Sequence, residues 1–292
     1  MSIAKITSPL VSVQWLADNL DAENLVILDA SMKPVTPVNN DSNYQEETTC
    51  ITGARRFDFD NEIRDKNTNL PHMMPSPEFF TEAMQKLGIN KDSAIVVYDY
   101  VGVYSSPRAW WMFRAMGHAS RQVAVLDGGL PAWKKAGFPV GDQPEKIAEH
   151  RGDFVAKPQS ELFCDSARVL EALSDSRYAV LDARSNGRFN GTEPEPRAGL
   201  RPGHMPNSIN LPFANVVVDG FVLPKTKLDS IFSNLVDKEQ KLIFSCGTGV
   251  TACITALAAE LAGYKNIAVY DGSWTEWGSS SSGLPVERGI HE

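Results

Sequence analysis

Short apolar runs rich in Val and Ile alternate along this chain with segments in which apolar residues recur at helical spacing. In the first half, the runs at 26–29, 94–98 and 123–126 predict strands, and the segments 76–87 and 107–117 predict helices. Because strands joined through helices pair in parallel, this pattern predicts an α/β fold with a mainly parallel sheet covered on both faces. Ligands in such sheets bind beyond the carboxyl ends of the strands.

The chain carries an internal repeat at the scale of a whole domain. The run VILDA at 26–30 recurs as VLDA at 180–183, and VLDGG at 125–129 recurs as VYDGS at 269–273. Each copy then closes on a Gly-x-Pro-Val run. Self-similarity of this kind predicts two homologous α/β domains in tandem.

Length and composition fit this arrangement. With 292 residues, 42% of them hydrophobic and 22% charged, the chain is long for one core and typical of folded proteins, so we expect two domains. We place an N-terminal domain at 1–142, a polar linker at 143–158 and a C-terminal domain at 159–292. The Ser-rich tail from 278 onward is expected to be loosely held, and it has no assigned function.

Charge and motif content narrow the function classes. A net charge of -8, without a basic run interleaved with aromatics, argues against a nucleic-acid binder. No stretch is apolar enough to span a bilayer, and no secretory signal is expected. The four cysteines lack C-x-x-C spacing, which favours free thiols in a reducing compartment; we expect the cytoplasm and leave a mitochondrial matrix open. Without a dinucleotide fingerprint, P-loop or metal-ligand cluster, neither cofactor nor metal is expected.

Cys246 stands after a strand predicted at 241–245 and before a helix predicted at about 250–261, in the run FSCGTGVT. A glycine-containing loop in this position turns successive backbone N–H groups inward, and the helix N-terminus adds partial positive charge. Both effects favour the thiolate over the thiol at neutral pH, and both would stabilise a persulfide anion. The plain alternative is a buried, inert cysteine.

Superimposing the two copies places Asp99 at the position of Cys246, so only the second copy carries a nucleophile. The first copy is therefore expected to be a scaffold that forms the opposite wall of a cleft between the domains. The remaining cysteines are interpreted as ordinary packing residues: Cys50, Cys164 and Cys253.

A phosphatase-like use of the cysteine is an alternative. Tyrosine phosphatases follow a strand with a cysteine and an anion-binding loop, but that loop ends in an arginine that grips phosphate. Here Ala252 stands six residues after the cysteine, and no basic residue lies between Cys246 and Lys265. Phosphate transfer is disfavoured, because the dianion would have no cationic clamp in the loop.

Three motifs together resemble the rhodanese superfamily: CGTGVTA from Cys246, GRFNGTEPEPR at 187–197 and YSSPR at 104–108. The resemblance covers nearly the whole chain and implies two tandem rhodanese-like domains. Members that use thiosulfate carry basic residues directly after the cysteine, which suit a dianionic donor, whereas this chain has Gly247 and Thr248. Its loop is similar to that of members that use 3-mercaptopyruvate, with Thr248 in place of the commoner serine.

The resemblance implies a reaction. Cys246 attacks the thiol sulfur of 3-mercaptopyruvate, pyruvate leaves through its enolate, and the resulting persulfide passes sulfur to an acceptor thiol such as thioredoxin, or to cyanide. Arg188 and Arg197 would bind the substrate carboxylate and carbonyl, a task that suits guanidinium groups. The alternative for both is a solvated arginine beside Glu193 and Glu195. Further substrate contacts are expected from four loop residues and a tyrosine: Gly247, Gly249, Val250, Thr251 and Tyr104.

Thr248, His72 and Asp60 resemble the family's Ser-His-Asp proton relay, with the last two reaching across from the first domain. A carboxylate that orients an imidazole, which moves a proton through a hydroxyl, follows the logic of a catalytic triad. Asp58 is an alternative to Asp60, and His72 could be a plain loop histidine. Tyr104 could equally fill the domain interface. His204 is interpreted as structural.

Two other functions stay open. A thiosulfate:cyanide sulfurtransferase would use the same persulfide, although the uncharged Gly247 and Thr248 disfavour it. A persulfide carrier or binding module would accept sulfur from a partner protein and turn over 3-mercaptopyruvate poorly. A monomer is expected, because the tandem repeat already encloses one cleft.

Overall fold

The computed structural model describes residues 2–35 and 47–289. The chain divides into two compact units. The first unit is made of Met1–Lys66, Met74–Gln159 and Asp219–Val222. The second unit is made of Asn67–Met73, Ser160–Val218 and Leu223–Glu292.

The first unit is built on a five-stranded parallel sheet. Its strands are β1 (Leu10–Val11), β2 (Leu25–Asp29), β3 (Cys50–Ile51), β4 (Arg55–Arg56), β5 (Ala94–Tyr98), β6 (Val123–Leu126) and β7 (Val140–Gly141). Its helices are α1 (Val13–Asp18), α2 (Pro77–Lys86), α3 (Ser106–Ala115) and α4 (Gly129–Lys135). The main sheet has the order β1-β6-β5-β2-β4, and β3 pairs with β7 in a separate antiparallel ladder.

The second unit repeats this topology. Its strands are β8 (Phe163–Cys164), β9 (Tyr178–Asp182), β10 (Ile209–Asn210), β11 (Val217–Val218), β13 (Lys241–Ser245) and β14 (Ile267–Tyr270). Strand β12 (Phe221–Val222) lies in the segment that groups with the first unit. Its helices are α5 (Ser166–Ala172), α6 (Asn186–Asn190), α7 (Lys225–Ser233), α8 (Ala252–Leu261) and α9 (Ser273–Trp277). The second parallel sheet, read from the equivalent edge, has the order β8-β14-β13-β9-β10. It matches β1-β6-β5-β2-β4 of the first sheet strand for strand, which confirms the tandem α/β fold.

The predicted elements agree closely with the observed ones where burial is strongest. Strands β5 and β6 have the predicted bounds, and all their residues are buried. Helix α2 begins one residue later than predicted, because the Ser76 hydroxyl caps it by accepting the Phe79 N–H at 3.2 Å. Helix α3 ends before Gly117, which has a φ of 86°, a conformation that stops a helix.

The segment predicted as a linker, 143–158, packs on the first unit. Its backbone makes regular hydrogen bonds there, including Glu145 N to Ala54 O at 2.9 Å and Phe154 N to Ile89 O at 3.0 Å. Phe154 is buried among aromatic rings of that unit. The domain boundary therefore falls near Gln159, and the linker residues belong to the first fold.

The tail is held more firmly than expected. Arg201 donates to the carbonyl of Leu284 at 2.9 Å, and Trp277 donates to the carbonyl of Pro285 at 2.7 Å. Leu284 and Val286 pack against the core of the second unit. The expectation of a loose tail is wrong for its described part, while 290–292 lie outside the described residues.

Within the described ranges, no helix is long and apolar enough to cross a membrane.

Candidate active site

Cys246 follows β13, a central strand of the second sheet that pairs with both β9 and β14. The residue is only 2% exposed. The chain then turns through 247–250, with Gly249 at a φ of 74°, and enters α8. The predicted strand, loop and helix start are all present, so Cys246 lies at the carboxyl edge of a parallel sheet, where such folds bind ligands.

Four predicted site residues follow the cysteine in the loop. Thr248 and Val250 are buried, while Gly247 and Thr251 are partly exposed. Thr251 stands immediately before α8 with helical backbone angles, and its side chain makes no capping hydrogen bond. The Thr251 side chain therefore does not cap the start of α8.

The equivalent loop of the first unit shows what this geometry does to an anion. Asp99 follows β5, and its carboxylate accepts hydrogen bonds from five backbone N–H groups and one hydroxyl. The donors belong to Val101, Gly102, Tyr104, Ser105 and Ser106, at distances from 2.7 to 3.1 Å. Burial raises the pKa of Asp99, and the hydrogen bonds oppose that rise. The loop of the first copy is thus an anion cradle filled by its own side chain.

Arg188 lies against the cysteine loop. It stands in the short helix α6, whose N-cap Ser185 accepts the Arg188 N–H at 3.3 Å. A Cβ added at Gly247 would meet Arg188 Nη2 at 3.2 Å, a tight contact. Because Gly247 has no side chain, the guanidinium can approach the residue next to the nucleophile.

Glu195 holds that guanidinium in place. Its Oε2 accepts hydrogen bonds from Arg188 Nε at 3.2 Å and Nη2 at 2.6 Å, and its Oε1 accepts one from Arg184 Nη1 at 2.7 Å. The Glu195 side chain is 2% exposed and that of Arg188 is 15% exposed. The alternative of a solvated arginine is wrong for Arg188, which is ordered by a buried carboxylate.

Arg184 extends this pair of charges into a larger buried network. Its guanidinium forks onto Asp182 at the end of β9, donates to the carbonyl of Gly203 at 2.8 Å, and stacks 4.0 Å from the ring of Trp274. The side chains of Arg184 and Asp182 are 0% and 1% exposed. Alternating charges from Asp182 through Arg184 and Glu195 to Arg188 thus form one connected, largely buried network that ends beside Gly247.

The other predicted site residues fall in both units. Arg197 is half-buried in the loop after α6, in the second unit. His72 was assigned to the first domain, but its segment groups with the second unit; it is 2% exposed and has a φ of 63°. Asp60 and Tyr104 belong to the first unit, where Tyr104 is buried and Asp60 is half-buried. His204 is buried and stacks on Phe189, as expected of a structural residue.

The three remaining cysteines are buried thiols. Burial raises the pKa of Cys164 to about 12. Burial, and secondarily the charge of Asp29, raises the pKa of Cys50. Cys253 donates its Sγ–H to the carbonyl of Gly249 at 3.2 Å. All three geometries fit packing residues.

Within the described part of the chain, no cluster of His, Cys, Asp and Glu could hold a metal ion.

Three residues that contact this site were not predicted from the sequence: Arg184, Glu195 and Ser273, whose hydroxyl accepts the Cys246 N–H at 3.2 Å. Glu195 lies inside the quoted motif at 187–197, but a glutamate between prolines suggests a solvated loop. Ser273 was visible only as a mismatch, because it replaces the last glycine of the repeated VLDGG run.

Comparison with known proteins identifies the family of the chain. A family model described as a Rhodanese-like domain matches residues 12–136 and 165–280. The chain is 37% identical over 285 residues to the 3-mercaptopyruvate sulfurtransferase of Homo sapiens, which covers 95% of this chain and 94% of that protein. It is 41% identical over 277 residues to the thiosulfate sulfurtransferase of Rattus norvegicus, covering 92% and 91%.

Among solved structures, the chain is similar to SseA from Escherichia coli, a 3-mercaptopyruvate sulfotransferase by its description. The TM-score is 0.78 at 33% sequence identity, covering 92% of this chain and 99% of that chain. Two matched domains and full-length relatives define the class: the chain belongs to the rhodanese family. Within it, the chain is a sulfurtransferase with two tandem domains.

Proposed function

We propose that this chain moves sulfur from 3-mercaptopyruvate, through a persulfide on Cys246, to a thiol or to cyanide. The observation that carries the proposal is the placement of Arg188 beside Gly247, next to a buried cysteine at the carboxyl edge of the sheet. A small α-keto acid has a carboxylate and a carbonyl, and a fixed guanidinium can bind both.

In the proposed first step, one sulfur atom moves from the substrate to Cys246. The Cys246 thiolate attacks the thiol sulfur of 3-mercaptopyruvate and forms the S–S bond. The carbon–sulfur bond breaks, and its electron pair becomes the enolate of pyruvate. The substrate thiol proton is transferred to that enolate, which leaves pyruvate and a persulfide anion on Cys246. Arg188 stabilises the charge that develops on the enolate oxygen.

The anion cradle of the first copy supports the persulfide step. The carboxylate oxygens of Asp99 lie two bonds from Cβ, as does the outer sulfur of a cysteine persulfide. With Asp99 paired to Cys246 in the repeat, the N–H groups of Thr248, Gly249, Thr251 and Ala252 correspond by position to four of the donors to that carboxylate. A fifth donor is lost, because Cys253 N–H is committed to the carbonyl of Val250 at 3.0 Å.

In the second step an acceptor attacks the outer sulfur of the persulfide. Cyanide would take it as thiocyanate, and a thiol would take it as a new persulfide, and either step returns the Cys246 thiolate. We propose that Thr248, His72 and Asp60 supply the proton transfers, with Arg197, Tyr104, Val250 and Thr251 completing the substrate site. We also propose that the chain acts as a monomer in the cytoplasm, where its four free cysteines would stay reduced.

A second donor deserves a direct comparison, because the relative with 41% identity is named a thiosulfate sulfurtransferase. The purified protein is given 3-mercaptopyruvate or thiosulfate with excess cyanide, and the initial rate of thiocyanate formation is recorded beside a Cys246→Ser control. We expect a strong preference for 3-mercaptopyruvate that disappears in the control. A preference for thiosulfate would overturn the donor assignment. If neither donor is turned over while Cys246 still accepts the outer sulfur of a persulfide on another protein, whose thiol is thereby released, the carrier alternative would be favoured.

A further inference from the structure

Ser273, the first residue of α9, lies against the backbone of Cys246. Its hydroxyl accepts a hydrogen bond from the Cys246 N–H at 3.2 Å and donates one to the carbonyl of Tyr270 at 2.8 Å. The N–H of Trp274 donates to the Cys246 carbonyl at 2.9 Å. The start of α9 therefore holds both polar groups of the Cys246 backbone, and Ser273 is fully buried.

Ser273 adopts a backbone conformation that residues with a side chain avoid. Its φ is 49°, and the corresponding residue of the first copy is Gly129, with a φ of 53°. Glycine adopts this conformation without strain, whereas serine raises the free energy of the folded state there. Strained residues of this kind persist where the surrounding structure holds them, often at functional sites. What serine adds over glycine is a hydroxyl, and that hydroxyl is bound to the nucleophile's backbone.

The two copies differ in how the residue after the central strand is anchored. In the first copy Leu130 N–H donates to the Asp99 carbonyl at 3.0 Å, as Trp274 does to Cys246, but Gly129 offers no hydroxyl. Asp99 is instead fixed through its carboxylate. Cys246 cannot be fixed through its side chain, because its sulfur alternates between thiolate and persulfide in each turnover.

We propose that Ser273 is a positioning residue, which anchors the Cys246 N–H and keeps the sulfur aimed while its covalent state changes. The proposal rests on the sulfur-transfer function proposed above. Ser273 acts through the backbone of Cys246 and contacts none of the reacting atoms.

The direct test is Ser273→Gly, which recreates the first copy at this position. Glycine adopts the φ of 49° without strain, which stabilises the folded state, but it leaves the Cys246 N–H without its acceptor, which destabilises it. Because these effects oppose each other, we expect a melting temperature close to that of the wild type. We expect kcat for thiocyanate formation to fall about tenfold, with KM changed by less than about twofold, because one buried hydrogen bond at the nucleophile is lost and substrate binding is not.

A matched control is Asp219→Gly. Asp219 is exposed and has a φ of 52°, so this variant relieves the same backbone strain away from the cysteine. We expect its kcat and KM to equal those of the wild type. A fall in kcat for Ser273→Gly that Asp219→Gly also shows would mean that the effect is general and would overturn the proposal.

A second readout does not depend on the sulfur donor. Labelling with 15N-cysteine gives one amide signal for each of the four cysteines, and the Cys246 signal is assigned by its loss in Cys246→Ser. In Ser273→Gly we expect the Cys246 amide to exchange its hydrogen at least about tenfold faster, with Cys50, Cys164 and Cys253 unchanged.

The outcomes separate this proposal from the proposed function. Wild-type protein that transfers sulfur from neither donor would overturn the function, and the amide exchange of Cys246 would still decide whether Ser273 anchors it. An active wild type whose Ser273→Gly variant keeps full kcat, or whose Cys246 amide keeps its protection, would overturn the role of Ser273 and leave the function standing.

Discussion

Glu195 and Arg188 form a buried ion pair at the edge of the cysteine loop, with Glu195 Oε2 2.6 Å from Arg188 Nη2. The same carboxylate also pairs with Arg184 at 2.7 Å, so one glutamate fixes two arginines. Buried charges of this kind cost free energy to desolvate, and they persist when each is matched by a partner. The arrangement holds the Arg188 guanidinium in one orientation.

Replacing Glu195 by Gln should therefore impair substrate binding. The loss of one buried negative charge leaves Arg184 and Arg188 incompletely paired, so we expect KM for 3-mercaptopyruvate to rise about tenfold and the free energy of unfolding to fall by about 3 kcal/mol. Steady-state kinetics and urea denaturation measure the two effects. The exposed Glu239, changed to Gln, serves as the control, and equal KM values for both variants would contradict the positioning of Arg188 by Glu195.

A side chain at position 247 should displace Arg188. In Gly247→Ala the new Cβ would lie 3.2 Å from Arg188 Nη2, so the guanidinium must move away from the loop. We expect kcat/KM for 3-mercaptopyruvate to fall about tenfold, since a small misplacement of a binding group is costly. Gly141→Ala is the control, because its Cβ would make ordinary contacts at 3.7 Å or more. Unchanged kinetics in Gly247→Ala would show that Arg188 does not act beside the loop.

Asp99 should matter for stability, although it stands in the copy without a nucleophile. Asp99→Ala removes the acceptor of five backbone N–H groups in a buried loop, and unpaired buried donors are destabilising. We expect the free energy of unfolding to fall by at least about 3 kcal/mol in urea denaturation. Asp21→Ala, at an exposed position, should change it by less than about 0.5 kcal/mol. Similar midpoints for the two variants would refute the cradle as a stabilising feature.

Acid should destabilise the first unit through His118. Burial lowers the pKa of His118 below 6.5, and its Nε2 lies 2.9 Å from the carbonyl of Ser93. Because the unfolded chain binds the proton more readily, this histidine's contribution is fully present above about pH 6.5 and is lost as the pH falls toward the lower folded pKa. Urea midpoints at pH 7.5 and pH 5.5 test this.

We expect the pH dependence to shrink in His118→Asn and to stay unchanged in His150→Asn, since His150 is exposed. Equal pH dependence in all three proteins would show that His118 does not titrate with folding.

The sequence was most informative where apolar runs are buried on both faces. Strands β5, β6 and β13 have the predicted bounds, because a run of buried residues ending at a polar loop leaves little choice of register. The repeat also revealed the equivalence of Asp99 and Cys246, which the matching sheet orders confirm.

The sequence contains no comparable pattern for contacts between residues that are far apart along the chain. Nothing in the spacing of 67–73 indicates that it groups with the second unit, or that 219–222 groups with the first. Glu195 resembles a solvated loop residue until the two arginines around it are placed by the fold. Ser273 could not be singled out, because its strain and its contact with Cys246 exist only in the folded chain.

We have proposed that Cys246 carries sulfur as a persulfide taken from 3-mercaptopyruvate. The most direct measurement is intact-protein and peptide mass spectrometry after mixing with 3-mercaptopyruvate in the absence of an acceptor, with released pyruvate measured in parallel. We predict that the wild type gains the mass of one sulfur atom on the peptide containing Cys246, releases one equivalent of pyruvate, and loses the added mass when cyanide is supplied. A wild type that gains no sulfur, or a Cys246→Ser variant that gains it equally, would rule out a persulfide on Cys246 as the carrier of sulfur.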